Sequence, residues 1–205
     1  LRFHRTMHRY EEQQAKRLWN QLPQLAANKV TVGIMGMGVL GKALAGHLVA
    51  LNYEVIGYRR NQESVKGLKI YCGYPVLGDF LNKTNILVVL LPETTETRYI
   101  INSSTIELMR PGSFLINAGR GKLICEDDLL KSLYSGHIQA AALDVFEQEP
   151  LPKENALWRH SNVYITPHIA SNTFVQSSSN YIAKTIKSYC DGISWPNKVK
   201  VDQGY

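Results

Sequence analysis

From about residue 30 the chain alternates two hydrophobic spacings. Short apolar runs rich in Val and Ile, the mark of strands, are separated by stretches whose apolar positions recur every three or four residues, the mark of helices. This pattern predicts a strand over Val30-Ile34, a helix over Leu40-Leu51, a strand over Tyr53-Tyr58 and an irregular stretch from Gly67 to Gly73. A short helix over Val76-Asn82 comes next. The run Ile86-Leu87-Val88-Val89-Leu90-Leu91 is apolar at every position, as in a strand buried on both faces, and Pro92 ends it. A helix over Thr105-Met109, a strand over Ser113-Asn117, the turn Gly119-Arg120-Gly121, a helix over Glu126-Tyr134 and a strand over Ile138-Leu143 follow. A last strand is expected at Val163-Thr166 and a last helix at Val175-Tyr189. Strands alternating with helices in this way imply an α/β fold of Rossmann type, a doubly wound parallel sheet with ligands at the carboxyl ends of its strands.

Upstream of this alternation, Phe3-Trp19 contains no Gly or Pro and many strong helix formers, so one long helix is expected, stopping near Pro23. Its Phe3, Met7, Tyr10, Leu18 and Trp19 among many charges suggest packing against another body, such as a second subunit. The chain opens with neither Met nor an N-cap residue, so it reads as cut from a longer polypeptide. The expected organisation is a long helix over 1–22, a dinucleotide-binding domain over 23–170 and a C-terminal segment over 171–205.

At 205 residues the chain can bury one good core. No apolar run reaches membrane-spanning length, and the start Leu1-Arg2-Phe3-His4-Arg5 lacks the apolar core of a secretion signal. Cys72, Cys125 and Cys190 are scattered, odd in number and without metal-ligand spacing, which fits reduced thiols in a cytoplasm and neither a structural disulfide nor a metal site. The net charge of +6 is dispersed except in the first helix and at Arg59-Arg60. Such a distribution describes a solvated basic surface rather than a nucleic-acid interface, with local use for a phosphorylated small ligand.

The loop Gly36-Met37-Gly38-Val39-Leu40-Gly41 stands between a predicted strand and a predicted helix. In that context Gly36 permits a tight turn, Gly38 lets backbone approach a pyrophosphate, and Gly41 lets helix pack on strand. At the end of the second strand an NAD-selective fold carries Asp or Glu for the ribose hydroxyls, but this chain has Tyr58-Arg59-Arg60-Asn61. Arginine can clamp and neutralise a 2′-phosphate, so the expected cofactor is NADP(H), held by Arg59 or Arg60.

Further residues suggest chemistry. Arg120, in a glycine turn just past a strand, has the planar fork that grips the carboxylate and carbonyl oxygen of a 2-keto acid. His168, after Thr166-Pro167, could hand a proton to the carbonyl, and a neighbouring carboxylate would keep it protonated near neutral pH. Glu149, in the turn Phe146-Glu147-Gln148-Glu149-Pro150-Leu151-Pro152, is the favoured partner and Glu147 the runner-up. Asp144 either accepts a bond from the nicotinamide half of the cofactor or caps a turn.

At these residues the chain resembles the D-isomer-specific 2-hydroxyacid dehydrogenases, and among them the glyoxylate/hydroxypyruvate reductases of the bacterial A type. The resemblance rests on Val32 through Gly41, Leu90-Leu91-Pro92, Ile116 through Gly121, Leu143-Asp144-Val145-Phe146 with Glu149 through Pro152, and Ile165 through Ala170. It extends to the closing Val201-Asp202-Gln203-Gly204-Tyr205. It implies Arg120 as substrate anchor, His168 as acid/base and Glu149 as its partner. Cofactor contacts from Val39, Leu40, Leu91, Pro92, Thr97, Ala118 and Asp144 are implied too, with Arg59 in the place of the NAD-binding acid. Dimerisation through the nucleotide-binding domain, helped by the first helix, is a further implication.

Most of the substrate domain of such proteins has no counterpart in this sequence. The segment from Ser171 onward normally returns to that domain, and the chain alone is expected to bind NADPH yet turn over poorly. The resemblance thus implies NADPH-dependent reduction of glyoxylate or hydroxypyruvate. Two other readings share the glycine loop. A 3-hydroxyacid dehydrogenase leaves Arg120, Glu149 and His168 unexplained, whereas a cofactor-sensing regulatory protein on the same scaffold can retain them.

Overall fold

The computed structural model describes residues 1–61, 64–171 and 173–194. The chain divides into two compact units, Leu1–Pro167 and His168–Tyr205. The first unit holds β1 (Thr31–Met35), β2 (Glu54–Arg59), β3 (Lys69–Cys72), β4 (Ile86–Val89), β5 (Ser113–Asn117), β6 (Ile138–Leu143) and β7 (Val163–Ile165). Its helices are α1 (Met7–Ala15), α2 (Val39–Ala50), α3 (Leu77–Lys83), α4 (Ser103–Glu107) and α5 (Glu126–Ser135). All seven strands pair in parallel in the order β3-β2-β1-β4-β5-β6-β7. The chain therefore winds outward from β1 to β3, returns, and winds from β4 to β7 the other way. This is the expected doubly wound Rossmann-type sheet. Its winding reverses between β1 and β4, where such sheets open a crevice at the strands' carboxyl ends.

The continuous apolar run of β4 follows from this layering. Leu87 and Val89 join the buried cluster built around Phe80, Leu115 and Leu129, while Ile86 and Val88 join a second one with Val32, Ile34, Ala45 and Val55. Successive side chains of a strand point to opposite faces, so a strand covered on both sides needs apolar residues throughout.

Two expectations fail. The segment 67–73 is not irregular: Lys69–Cys72 forms β3, an edge strand of four residues that, among the described residues, pairs only with β2. Flanking glycines and a short length hid its alternation, and short edge strands with a Lys are how sheets blunt their borders. At the other end of the chain, the long helix over Phe3-Trp19 shrinks to Met7–Ala15. Thr6 and Arg17, with φ of 49° and 55°, take left-handed conformations at its two ends.

Tertiary contact outweighs helix propensity in this arm. Phe3 is buried and stacks on Phe114 of β5 with centroids 4.9 Å apart, His8 meets the same ring edge-on, and the Tyr164 hydroxyl donates to Glu11 at 3.0 Å. Phe3 and His8 thus pack on the chain's own sheet rather than on another body, whereas Leu18 and Trp19 are exposed.

The other predicted elements appear with ends shifted by a residue or two. In the second unit, α6 (Val175–Cys190) exposes Val175, Tyr181, Ile182, Ile186 and Tyr189. The closing Val201-Asp202-Gln203-Gly204-Tyr205 lies outside the described residues.

Candidate active site

The glycine loop leaves β1 at the reversal point and is wedged between its neighbours. The Gly36 amide donates to the Tyr58 carbonyl of β2 at 2.9 Å, and the Leu90 amide donates to the Met35 carbonyl at 2.7 Å. Gly36 has φ of 103°, and a Cβ there would lie 2.6 Å from the Leu90 carbonyl oxygen. A Cβ on Gly41 would lie 2.0 Å from the Gly36 carbonyl oxygen, so α2 reaches the strand only because that position is glycine. Gly38 differs, since a Cβ added there meets nothing within 4 Å. It precedes α2, whose leading N–H groups receive no side-chain cap and whose first turn contains no acid. Such a start presents backbone donors and the positive end of the helix dipole to an anion. Beside it, Val39 and Leu40 are 74% and 57% exposed, apolar surface at the lip of the loop.

On one side of the loop stands the arginine pair. Arg59 ends β2, half-buried, with its carbonyl accepting from Gly73 at 3.1 Å, and Arg60 is exposed with Nη1 2.9 Å from Glu96 Oε2. No acid lies among residues 58–61. On the other side, past β4, Leu91 and Pro92 lead into a turn braced by Thr97. The Thr97 hydroxyl donates to the Pro92 carbonyl at 2.7 Å and accepts from the Thr94 amide at 2.8 Å.

The next strands bring two more candidates together. Asn117, the buried last residue of β5, accepts from the Gly119 amide at 3.1 Å and donates to the Arg120 carbonyl at 3.0 Å. These bonds shape the turn that carries Arg120, and the Ala118 amide ties it to Val89 of β4 at 3.2 Å. The Arg120 side chain is exposed, with Nη1 donating to the Gly119 carbonyl at 2.7 Å. A Cβ on Gly121 would sit 1.8 Å from the Phe146 carbonyl oxygen. The arginine turn therefore rests directly on the start of the acidic turn after β6.

That contact separates the two candidate glutamates. Glu147 is engaged internally: Oε1 accepts from the Glu126 amide at 3.0 Å and Oε2 from the Tyr99 hydroxyl at 2.9 Å. Its own amide donates to Glu126 Oε1 at 2.7 Å. The hydrogen-bonded carboxylate pushes the Tyr99 hydroxyl above its ordinary pKa. Glu149 is exposed and accepts from the Phe146 amide at 3.0 Å. Asp144 is buried, with its amide on the Asn117 carbonyl and its carboxylate accepting from the Thr166 hydroxyl.

His168 opens the second unit and is described on its own; its φ of 54° puts a non-glycine residue in the left-handed region, a sparsely populated conformation that often marks functional positions. The sequence assigned no role of their own to Asn117, Tyr99 and Thr166. Only Asn117 carried a readable signal, an Asn just before a glycine turn.

Among the described residues no group of His, Cys, Asp and Glu forms a metal-ligand cluster, and no helix is long and apolar enough to cross a membrane. Residues 1–170 match the family model described as the NAD binding domain of D-isomer specific 2-hydroxyacid dehydrogenase. The chain belongs to this family. A glyoxylate/hydroxypyruvate reductase A from Citrobacter koseri is 40% identical over 205 residues, all of this chain and 66% of that relative. The chain thus spans just under two thirds of the relative's length.

Two solved structures extend the likeness. A D-isomer specific 2-hydroxyacid dehydrogenase from Xanthobacter autotrophicus Py2, in complex with NADPH and MES, superposes with a TM-score of 0.96 at 35% identity, covering 100% of this chain and 84% of that one. An NADPH-dependent glyoxylate/hydroxypyruvate reductase from Sinorhizobium meliloti, in complex with NADP and sulfate, gives 0.95 at 38% identity, covering 100% and 66%.

Proposed function

We propose that this 2-hydroxyacid dehydrogenase chain carries the coenzyme-binding and proton-transfer groups of an NADPH-dependent reductase that converts glyoxylate or hydroxypyruvate to the 2-hydroxy acid. One observation carries the reading: a single crevice-forming edge of the sheet bears the glycine loop, an arginine pair where an acid would select NAD, and the Arg120 turn seated on the acidic turn. The open side of Gly38 and the uncapped start of α2 fit a pyrophosphate, and Arg59 or Arg60 fits a 2′-phosphate. The relatives solved with NADPH and NADP support the same choice.

When bound, the coenzyme supplies a hydride from its reduced nicotinamide. The protein's own groups do the rest. Arg120 binds the keto acid's carboxylate and carbonyl oxygen with its two-pronged guanidinium, fixing the carbonyl carbon for attack. His168 gives a proton to the carbonyl oxygen as it becomes a hydroxyl. In this reading Glu149 serves as the carboxylate partner of His168, a role left to it because Glu147 is committed to Glu126 and Tyr99. Asp144, at the end of β6, serves the nicotinamide half, with Leu91, Pro92, Thr97 and Ala118 lining the approach.

The 205 residues span just under two thirds of the relative's length, and in this reading they bind NADPH and turn over poorly by themselves. The chain pairs as a homodimer through the coenzyme domain, and its three free cysteines suit a cytoplasmic protein.

Steady-state oxidation of NADPH with glyoxylate and hydroxypyruvate tests the reading. The full-length protein is expected to turn over both, His168→Ala to lose about a thousandfold in kcat, and NADPH affinity to stay within about twofold. Undiminished turnover in the variant contradicts the proton-transfer role. Tight NADPH binding without turnover by the full-length protein favours the sensor alternative.

A further inference from the structure

The Arg60–Glu96 ion pair is not an ordinary surface contact. In the sheet β1 lies between β2 and β4. Arg60 follows β2 and Glu96 follows β4, so a 2.9 Å bond between them passes across the carboxyl end of β1, where the glycine loop departs. The turn carrying Glu96 is pinned to the end of β4. Thr97 donates its hydroxyl to the Pro92 carbonyl at 2.7 Å and its amide to the Thr94 carbonyl at 3.2 Å, and the Arg98 amide donates to the same carbonyl at 3.0 Å. A carboxylate is thereby held against one of the two guanidinium groups available to a 2′-phosphate. Carboxylate and phosphate oxygens engage the guanidinium fork in the same way, so the two compete for it.

We propose that Glu96 is a coenzyme-selectivity residue, a built-in competitor that occupies Arg60 and weakens the chain's preference for the 2′-phosphorylated coenzyme. This rests on the NADP(H) reading above. A bound 2′-phosphate must take Arg60 from Glu96 and then sit beside that carboxylate. NAD(H), with an uncharged hydroxyl at this position, meets neither cost. Exposed pairs of this kind shift equilibria by up to about fivefold, and repulsion between carboxylate and phosphate adds to it.

Calorimetric titration of the 205-residue chain with 2′,5′-ADP, 5′-AMP, NADPH and NADH provides the test, since binding can be read without turnover. In Glu96→Gln, 2′,5′-ADP and NADPH are expected to bind about three- to tenfold tighter than in the unaltered chain, with 5′-AMP and NADH within about twofold. Glu96→Ala, which cannot hydrogen-bond Arg60, should match it. The gain should shrink as ionic strength rises from about 0.05 to about 0.5 M. An unchanged 2′,5′-ADP affinity, a weaker one, or equal changes for phosphorylated and unphosphorylated ligands overturns the proposal while leaving the NADP(H) reading in place. Failure of the unaltered chain to bind any of the four overturns that reading and the proposal with it.

Discussion

Asn117 illustrates how much of the candidate site depends on residues that never touch a ligand. Its amide group accepts from Gly119 and donates to Arg120, closing the turn that presents the guanidinium. Asn117→Ala leaves the buried Gly119 N–H without this acceptor, which should cost about 1–3 kcal/mol in urea denaturation. An undiminished denaturation midpoint would mean the turn holds itself. Gly121 is equally constrained, because any side chain there collides with the Phe146 carbonyl. The two glutamates could not be told apart in sequence, since both stand in one acidic turn. They separate only through the reach of Tyr99 and the start of α5, which no local pattern encodes.

At the scale of elements, the sequence was most legible where burial is two-sided or strictly periodic. The β4 run, the glycine loop and the amphipathic α5 announce themselves because each position has one environment to satisfy. β3 did not, because a four-residue edge strand answers to one neighbour only. The N-terminal arm was over-extended for the opposite reason: its helix formers are real, but Phe3, stacked on Phe114, lies outside the helix, which begins only at Met7.

The arm also carries a titratable group in an unusual place. His8 is buried against Phe114, and burial lowers its pKa, with Arg9 and Arg2 acting in the same direction and Glu12 and Glu11 opposing. Its Nε2 lies 3.3 Å from the Gln139 side-chain amide. A depressed folded-state value means the unfolded chain takes up the proton first. The stability contribution is therefore complete above the unfolded pKa of about 6.5 and is lost as pH falls below it. His8→Gln should flatten this acid-side loss between about pH 6.5 and 5 in denaturant unfolding. Parallel pH profiles for the two proteins would rule out the histidine as its source.

For the molecule as a whole, the proposed function rests on winding direction. Because the chain reverses between β1 and β4, the loops after β2, β1 and β4 are brought to one crevice, with the β5 and β6 turns alongside. In the proposed reading this arrangement lets residues from Gly36 to Glu149 contribute to one site, although no sequence window contains them together. The doubly wound architecture was readable from the strand–helix alternation, whereas the ion pair over β1 emerges only once strand order is known.

The central claim is that this edge is a site for NADP(H). Its most direct test is the ratio of dissociation constants for NADH and NADPH, measured for the unaltered chain and for Arg59→Asp combined with Arg60→Ala. The account predicts at least about tenfold preference for NADPH, falling to near unity or reversing in the double variant. A ratio that the double variant leaves unchanged would contradict it.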